Sequence, residues 1–294
     1  MKLFLTNSAS HLQRPLRKQG FKIGRVEFRT FADGEHAYRL KESVEGEPVG
    51  VVGSILPDPR SLFDLAAIHR LARENRASET FLVVPYLGYA RQDRPDQPGA
   101  GSIGLMVIEL LQSLRPSRML LLDVHSDLIR RAFEPWVKEL SCLSLFTAFL
   151  SNRPPDVVVS PDAGYLSKAK ELAGLFDSRP DVAAVDKVRP RPNRAIATAL
   201  HGDVRDKSVL FADDIIDTGR TLAEAVRIAV QEGAGTIRLA ATHGIFSDDA
   251  RLRLSQLPVA EIIVTNTLPQ VRHPKIRILD ISSLIREALF EPRL

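Results

Sequence analysis

The sequence predicts an α/β protein of two similar domains, each a mainly parallel sheet flanked by helices, and three observations carry that prediction. First, strand-like apolar runs (Phe81–Val84, Met119–Leu122, Val157–Val159, Glu261–Val264) alternate with helical patterns such as Asp64–Arg73 and Leu166–Leu175. That alternation is the mark of β-α-β units. Second, the runs lack an inside-outside alternation, as strands covered by helices on both faces do. Third, 294 residues suffice for two cores of ordinary size, and Ser151-Asn152-Arg153-Pro154-Pro155 makes a polar, proline-marked break near the middle. The second half of the chain echoes the first: Val83-Val84-Pro85-Tyr86 resembles Val158-Val159-Ser160-Pro161-Asp162, and Leu121–His125 resembles Leu210–Asp214. The expected domains are residues 1–150 and 151–270, with 271–294, including a helix over Ile281–Phe290, packing back on the first.

Composition narrows the function classes. A content of 44% hydrophobic and 26% charged residues is that of an ordinary soluble protein, and the lone Cys142 excludes a disulfide framework or a multi-cysteine metal site. No eighteen apolar residues run together, and Leu3–Leu5 is the sole apolar run at the amino terminus. The chain is therefore expected in the cytoplasm, with no membrane span. A net charge of +4 favours anionic partners in general, but scattered Lys and Arg and 6% aromatic content do not call for nucleic acid.

Along the chain, the strand at Phe81–Val84 leads into Pro85-Tyr86-Leu87-Gly88-Tyr89-Ala90-Arg91-Gln92-Asp93-Arg94. Ligands of open α/β sheets gather at the carboxyl ends of strands. Arg91 can fork onto triphosphate oxygens and Gln92 can read an adenine edge, although a charged loop alone is equally well solvated surface. Next, Gly99-Ala100-Gly101-Ser102-Ile103-Gly104 matches a dinucleotide-binding pattern. A polar, proline-containing stretch from Ala90 to Pro98 parts it from its strand, so the context fails. No GxxxxGK[ST] loop is present. Asp186–Asn193 reads as a basic, proline-rich connection. The run Val209–Ala212 reads as a buried strand and Thr221–Gln231 as a helix, with Leu222, Ala225, Val226 and Ala229 at helical spacing.

Between that strand and helix stand Asp213-Asp214-Ile215-Ile216-Asp217-Thr218-Gly219-Arg220-Thr221, the most informative stretch. Free backbone N–H groups of the first helical turn suit a dianionic phosphate. Thr218 and Thr221 add hydroxyl donors. Asp213 and Asp214 offer acceptors to a diol or to a metal-bound water, and Asp217 lies at the loop's edge. Capping alone explains one or two such residues, not the whole set.

The stretch resembles the phosphoribosyl-diphosphate (PRPP) loop of type I phosphoribosyltransferases and of ribose-phosphate diphosphokinases, the PRPP synthetases. Pro85–Arg94 resembles the synthetase signature, which transferases are not expected to carry. Phe31-Ala32-Asp33-Gly34-Glu35 is similar to the synthetase loop that reaches adenine across a subunit interface. Asp123-Val124-His125 resembles an Asp-Leu-His motif, Ser160-Pro161-Asp162 a Ser-Pro-Asp motif, and Asp186–Asn193 the mobile catalytic loop. The resemblance implies two phosphoribosyltransferase-type domains and transfer of diphosphate from Mg-ATP to the C1 hydroxyl of ribose 5-phosphate, giving PRPP and AMP. It implies Lys187 and Arg189 at the transferring diphosphate; Phe31, Asp33, Glu35, Arg91, Gln92 and Asp93 on ATP; and His125 and Asp162 near Mg2+. Asp213, Asp214, Asp217, Thr218, Gly219, Arg220 and Thr221 would take ribose 5-phosphate. It further implies a homo-oligomer with a shared ATP site. Departures fall at Leu128, Arg131, Tyr165, Arg220 and the stretch after Arg94. They keep two alternatives in view, a PRPP-consuming transferase and a non-catalytic regulatory partner.

Overall fold

The computed structural model describes residues 1–191 and 194–291, with backbone alone for 187–191 and 194–198. It divides into two compact units. The first holds Met1–Leu140, Thr267–Pro269 and the chain from Asp280 onward; the second holds Ser141–Asn266 and Gln270–Leu279.

The first unit runs β1 (Lys2–Leu5), α1 (Gln13–Lys18), β2 (Lys22–Ile23), β3 (Val26–Thr30), β4 (His36–Leu40), β5 (Pro48–Val52), α2 (Arg60–Glu74), β6 (Glu79–Val84), α3 (Ile103–Ser113), β7 (Arg118–Leu122), α4 (Asp127–Arg131) and β8 (Val137–Leu140). Its main sheet is parallel, in the order β2-β1-β5-β6-β7-β8, with β3 and β4 forming a separate antiparallel hairpin. The second unit runs α5 (Leu143–Leu150), β9 (Val157–Ser160), α6 (Leu166–Leu175), β10 (Asp181–Arg191), β11 (Arg194–His201), β12 (Val209–Ile216), α7 (Arg220–Gln231), β13 (Ile237–Gly244), α8 (Ala250–Ser255), β14 (Val259–Thr265) and β15 (Ile276–Leu279). Its sheet order is β11-β10-β9-β12-β13-β14-β15, parallel throughout except for β10 with β11. The last helix, α9 (Ser282–Phe290), belongs to the first unit.

Setting β11 aside, both sheets have the same strand order: second, first, third, fourth, fifth, sixth. An antiparallel excursion comes after the second strand in each, β3–β4 in one and the β10–β11 ribbon in the other. The repeat is therefore topological. The short sequence echoes do not mark equivalent strands, since β6 is fourth in its sheet whereas β9 is first.

Burial tracks the apolar runs. Met119–Leu122 and Val157–Ser160 are buried throughout, as strands covered on both faces must be. Helix α2 turns Leu65, Ile68, His69 and Ala72 to the core at helical spacing, and α7 does so with Leu222, Ala225, Val226 and Ala229. Helix α9 packs on the first unit at two places: Phe290 stacks on Phe21, between α1 and β2, with ring centroids 5.7 Å apart, and Arg118 Nη1, at the start of β7, donates to the carbonyl of Ala288 at 2.7 Å. Among the described residues, no helix is long and apolar enough to cross a membrane.

Two elements differ from the sequence reading. Strand β12 runs on to Ile216, because β13 stays alongside it, pairing Asp213 with Ala241 and Ile216 with Gly244. The acidic pair thus lies on the strand's last turn of pleat, not in the loop beyond it. The basic stretch from Asp186 is likewise strand backbone, with Lys187 paired to Ala197 and register shifts on either side of Lys187 and Val188. Beyond Ala184, β10 pairs with β11 alone, and such an edge tolerates the proline that argued for a loop.

One buried group makes the first unit sensitive to acid. His69 joins α2 to β6 through Nε2 and the Thr80 hydroxyl, 2.9 Å apart. Burial, aided by the charge of Arg73, pushes its pKa from 6.5 down to about 4. Between those values the unfolded chain takes a proton that the folded chain refuses, so stability should fall as pH drops from 6.5 to 4, by up to roughly 3 kcal/mol. Urea unfolding at pH 7 and 4.5 should show a smaller loss for His69→Gln than for the parent chain.

Candidate active site

In the first unit, β6 delivers the Pro85–Arg94 loop and β7 delivers Asp123–Ser126. The loop is folded tightly. Gly88 donates its N–H to the carbonyl of Ile55 at 2.9 Å, and a Cβ there would lie 2.4 Å from that oxygen, so only glycine fits. Tyr89 takes φ 65°, and its hydroxyl donates to the carbonyl of Pro57 at 2.7 Å. Tyr86, Leu87 and Ala90 are buried, which leaves Arg91 and Gln92 exposed at the loop's crest. The carbonyl of Gln92 accepts from the N–H of Gly104, so the glycine-rich stretch buttresses this loop and does not form a phosphate turn between strand and helix.

The two loops are tied together. Ser126 caps α4 by accepting the N–H of Ile129, and its hydroxyl donates to Asp93 Oδ2 at 2.7 Å. Burial pushes the Asp93 carboxyl up, but the Ser126 hydroxyl and the Arg94 guanidinium outweigh it and hold Asp93 below the usual carboxylate range. Asp93 is therefore a fixed anion that orients its own loop. His125 stands exposed between Ser126 and the buried Val124. The β3–β4 turn carries Phe31, Asp33 and Glu35. Asp33 Oδ1 accepts the N–H of Glu35 at 3.0 Å, and Phe31 remains 44% exposed with the Arg29 guanidinium 5.1 Å from its ring centre.

In the second unit, the β12–α7 junction presents a helix N-terminus, which suits an anion. Gly219 caps α7 in the left-handed region at φ 65°, and the N–H groups of the next turn lead the helix. A Cβ on Gly219 would come within 2.9 Å of Leu254 Cδ1. Asp213 Oδ1 accepts the N–H of Asp214 at 2.9 Å, and the two half-buried carboxylates alternate across the end of β12. Asp217, Thr218 and Thr221 are half-buried around the turn, and Arg220 is exposed with Asp248 3.8 Å away. After β9, Asp162 Oδ1 accepts the N–H of Tyr165 at 3.2 Å, so Asp162 also holds the entry to α6. Lys187 and Arg189 lie on β10, and their side chains are outside the described residues.

Sequence reasoning missed two supporting groups. Ser126 lies far along the chain from Asp93, and Arg253 on α8 donates to the carbonyl of Thr218 in the β12–α7 turn. Neither pairing has a local pattern that could reveal it. Of the departures, Leu128 and Arg131 are exposed on α4, and Tyr165 is buried at the start of α6.

Comparison with known proteins bears on the whole chain. Residues 1–114 match the N-terminal domain of ribose phosphate pyrophosphokinase, and residues 179–291 match the phosphoribosyl synthetase-associated domain. A ribose-phosphate pyrophosphokinase of Aquifex aeolicus is 33% identical over 276 residues, covering 92% of this chain and 88% of its own. One from Fusobacterium nucleatum is 32% identical over 298 residues, covering 98% and 94%. The crystal structure of phosphoribosylpyrophosphate synthetase from Mycobacterium smegmatis superposes with a TM-score of 0.88 at 30% identity, over 98% of this chain and 97% of that one.

The fit of Gly88 is directly testable. Gly88→Ala should destabilise the first unit by roughly 2–4 kcal/mol, because backbone must move to admit the methyl group. Thermal melting that matches the parent chain would show that the approach to Ile55 is not tight.

Proposed function

Because the chain belongs to the ribose-phosphate pyrophosphokinase family, we propose that its first unit supplies the nucleotide groups and its second the sugar-phosphate groups for making PRPP from ATP and ribose 5-phosphate. The C1 hydroxyl oxygen attacks the β-phosphorus, the bond from that phosphorus to the α,β-bridging oxygen breaks, AMP leaves with the electron pair, and the hydroxyl proton passes to solvent. The observation that carries the assignment is the β12–α7 junction, where a left-handed Gly219 opens the first turn of α7 beside Asp213 and Asp214.

In this reading the turn from Asp217 to Thr221 grips the 5-phosphate with backbone N–H groups and the Thr218 and Thr221 hydroxyls. Asp213 and Asp214 accept from the ribose diol. Arg220 leads α7 with its side chain outward, a position compatible with a backbone cradle. Arg91 and Gln92 hold the triphosphate and adenine, with Asp93 as their fixed anchor. Lys187 and Arg189 neutralise charge that develops between the β-phosphate and leaving AMP, so positioning and electrostatics do most of the catalysis.

Magnesium fits as an ion borne by the substrate. Among the described residues no cluster of three or more His, Cys, Asp or Glu could hold a metal by itself, and Mg2+ commonly takes one or two protein ligands together with phosphate oxygens. His125 in the first unit and Asp162 in the second are each a candidate ligand, and a bound ion would neutralise triphosphate charge. The same reading includes a homo-oligomer in which Phe31, Asp33 and Glu35 serve a neighbouring copy's nucleotide; the exposure of the Phe31 ring supports it. It also includes a cytoplasmic location, consistent with a single, buried cysteine.

Lys187→Ala should lower turnover by roughly 10²–10³-fold while ribose 5-phosphate binding, read by calorimetry without ATP, stays within about twofold. Asp213→Asn and Asp214→Asn should instead weaken that binding. Unchanged turnover in Lys187→Ala would remove it from the role.

A further inference from the structure

The segment that carries His125 is held in an improbable backbone shape. Asp123 takes φ 35°, a left-handed value that costs a non-glycine residue free energy and persists only where its surroundings impose it. Its own N–H donates to the carbonyl of Leu140 at 3.1 Å. The next residue, Val124, is gripped at both backbone polar groups by one ion pair. Glu139 Oε1, on β8, accepts the N–H of Val124 at 2.7 Å. Arg130, on α4, donates from Nη2 to the carbonyl of Val124. The two side chains close the ring on each other, Arg130 Nε donating to Glu139 Oε2 at 2.8 Å, and Arg130 Nη1 is also turned onto Asp127. Both partners of the pair are about four-fifths buried, at 24% and 20% side-chain exposure, so the bonds are poorly replaced by water.

Resting on the reading of His125 as a magnesium ligand, we propose that Arg130 and Glu139 are positioning residues for the reaction: their clamp on Val124 sets where the His125 imidazole stands. The sheet does not depend on the pair, since β7 and β8 are joined through their own register from Met119 with Val137 to Leu122 with Leu140. What the clamp fixes is the exit from β7, one residue before His125. Because each side chain holds the other as well as the backbone, losing one frees its own end of Val124 and takes a partner from the group at the other end.

The test uses the full-length chain labelled at histidine carbon, with the His125 ring resonance assigned by its absence in His125→Asn. Arg130→Met should move or broaden that resonance, lower kcat about tenfold or more and raise the half-saturating Mg2+ concentration severalfold, with the KM for ribose 5-phosphate within about twofold. Glu139→Gln is the milder second variant: its amide oxygen still accepts from Val124 but its amide nitrogen cannot accept from Arg130, so the same changes should appear at smaller size. The double variant should be no worse than Arg130→Met, as befits one unit. An unmoved His125 resonance in both variants overturns the clamp and leaves the magnesium reading of His125 intact. A moved resonance beside wild-type turnover and Mg2+ dependence in His125→Asn overturns the proposal through the reading it rests on.

Discussion

A charge cannot lie cheaply on a parallel strand that helices cover on both faces, and that exclusion puts the residues proposed for chemistry toward the strand ends. The strand residues Phe81–Val84, Met119–Leu122, Val157–Val159 and Val209–Ala212 are apolar and buried. Within a few residues of each strand's carboxyl end stand Arg91 to Asp93, Asp123 and His125, Asp162, and Asp213 with Asp214. Glu261, in β14, shows what the alternative requires: it is almost wholly buried, and Arg153 at 2.8 Å, Arg238 at 3.2 Å and Arg277 at 3.8 Å surround it. A carboxylate so enclosed is committed to the arginines around it and is poorly placed to meet a ligand.

Chemistry confined to strand exits must be held in shape by loops, and the loops do so with uncommon backbone conformations and few atoms. Tyr89, Asp123 and Gly219 all take left-handed φ values at these exits. Gly88 brings backbone against backbone, and Asp93, Ser126, Glu139 and Arg130 then bind separate exits of the first unit into one hydrogen-bonded assembly. In the second unit, Arg253 on the Thr218 carbonyl and Leu254 beneath Gly219 play the corresponding part for the β12–α7 turn. Transfer between two anionic substrates gains chiefly from positioning, and these contacts hold the loops that carry the groups proposed to meet substrate.

The fold was legible because its signals are local. Continuous apolar runs marked β6, β7, β9 and β14, and helical spacing marked α6 and α7 close to their observed ends and the body of α2, whose first turn from Arg60 it missed. The β12–α7 turn proposed to bind phosphate stood out because its carboxylates, hydroxyls and glycine are contiguous. Less legible were features decided by a partner distant in sequence: β12 extends through the acidic pair because β13 accompanies it, and the β10–β11 ribbon overrides the proline and charge that read as loop. Ser126 on Asp93 and the Arg130–Glu139 clamp are ordinary polar residues in sequence, given meaning by tertiary placement alone. The shared strand order of the two sheets was also hidden, since the visible echoes fall on strands of different rank.

The most direct test of the account is phosphorus NMR of the purified chain with ATP, ribose 5-phosphate and magnesium, tracking both products in one spectrum. AMP and the diphosphate resonances of PRPP should grow in equal amounts with no ADP. ATP that stays intact across several metals and phosphate levels, or that yields ADP in place of AMP, would contradict diphosphoryl transfer by this chain.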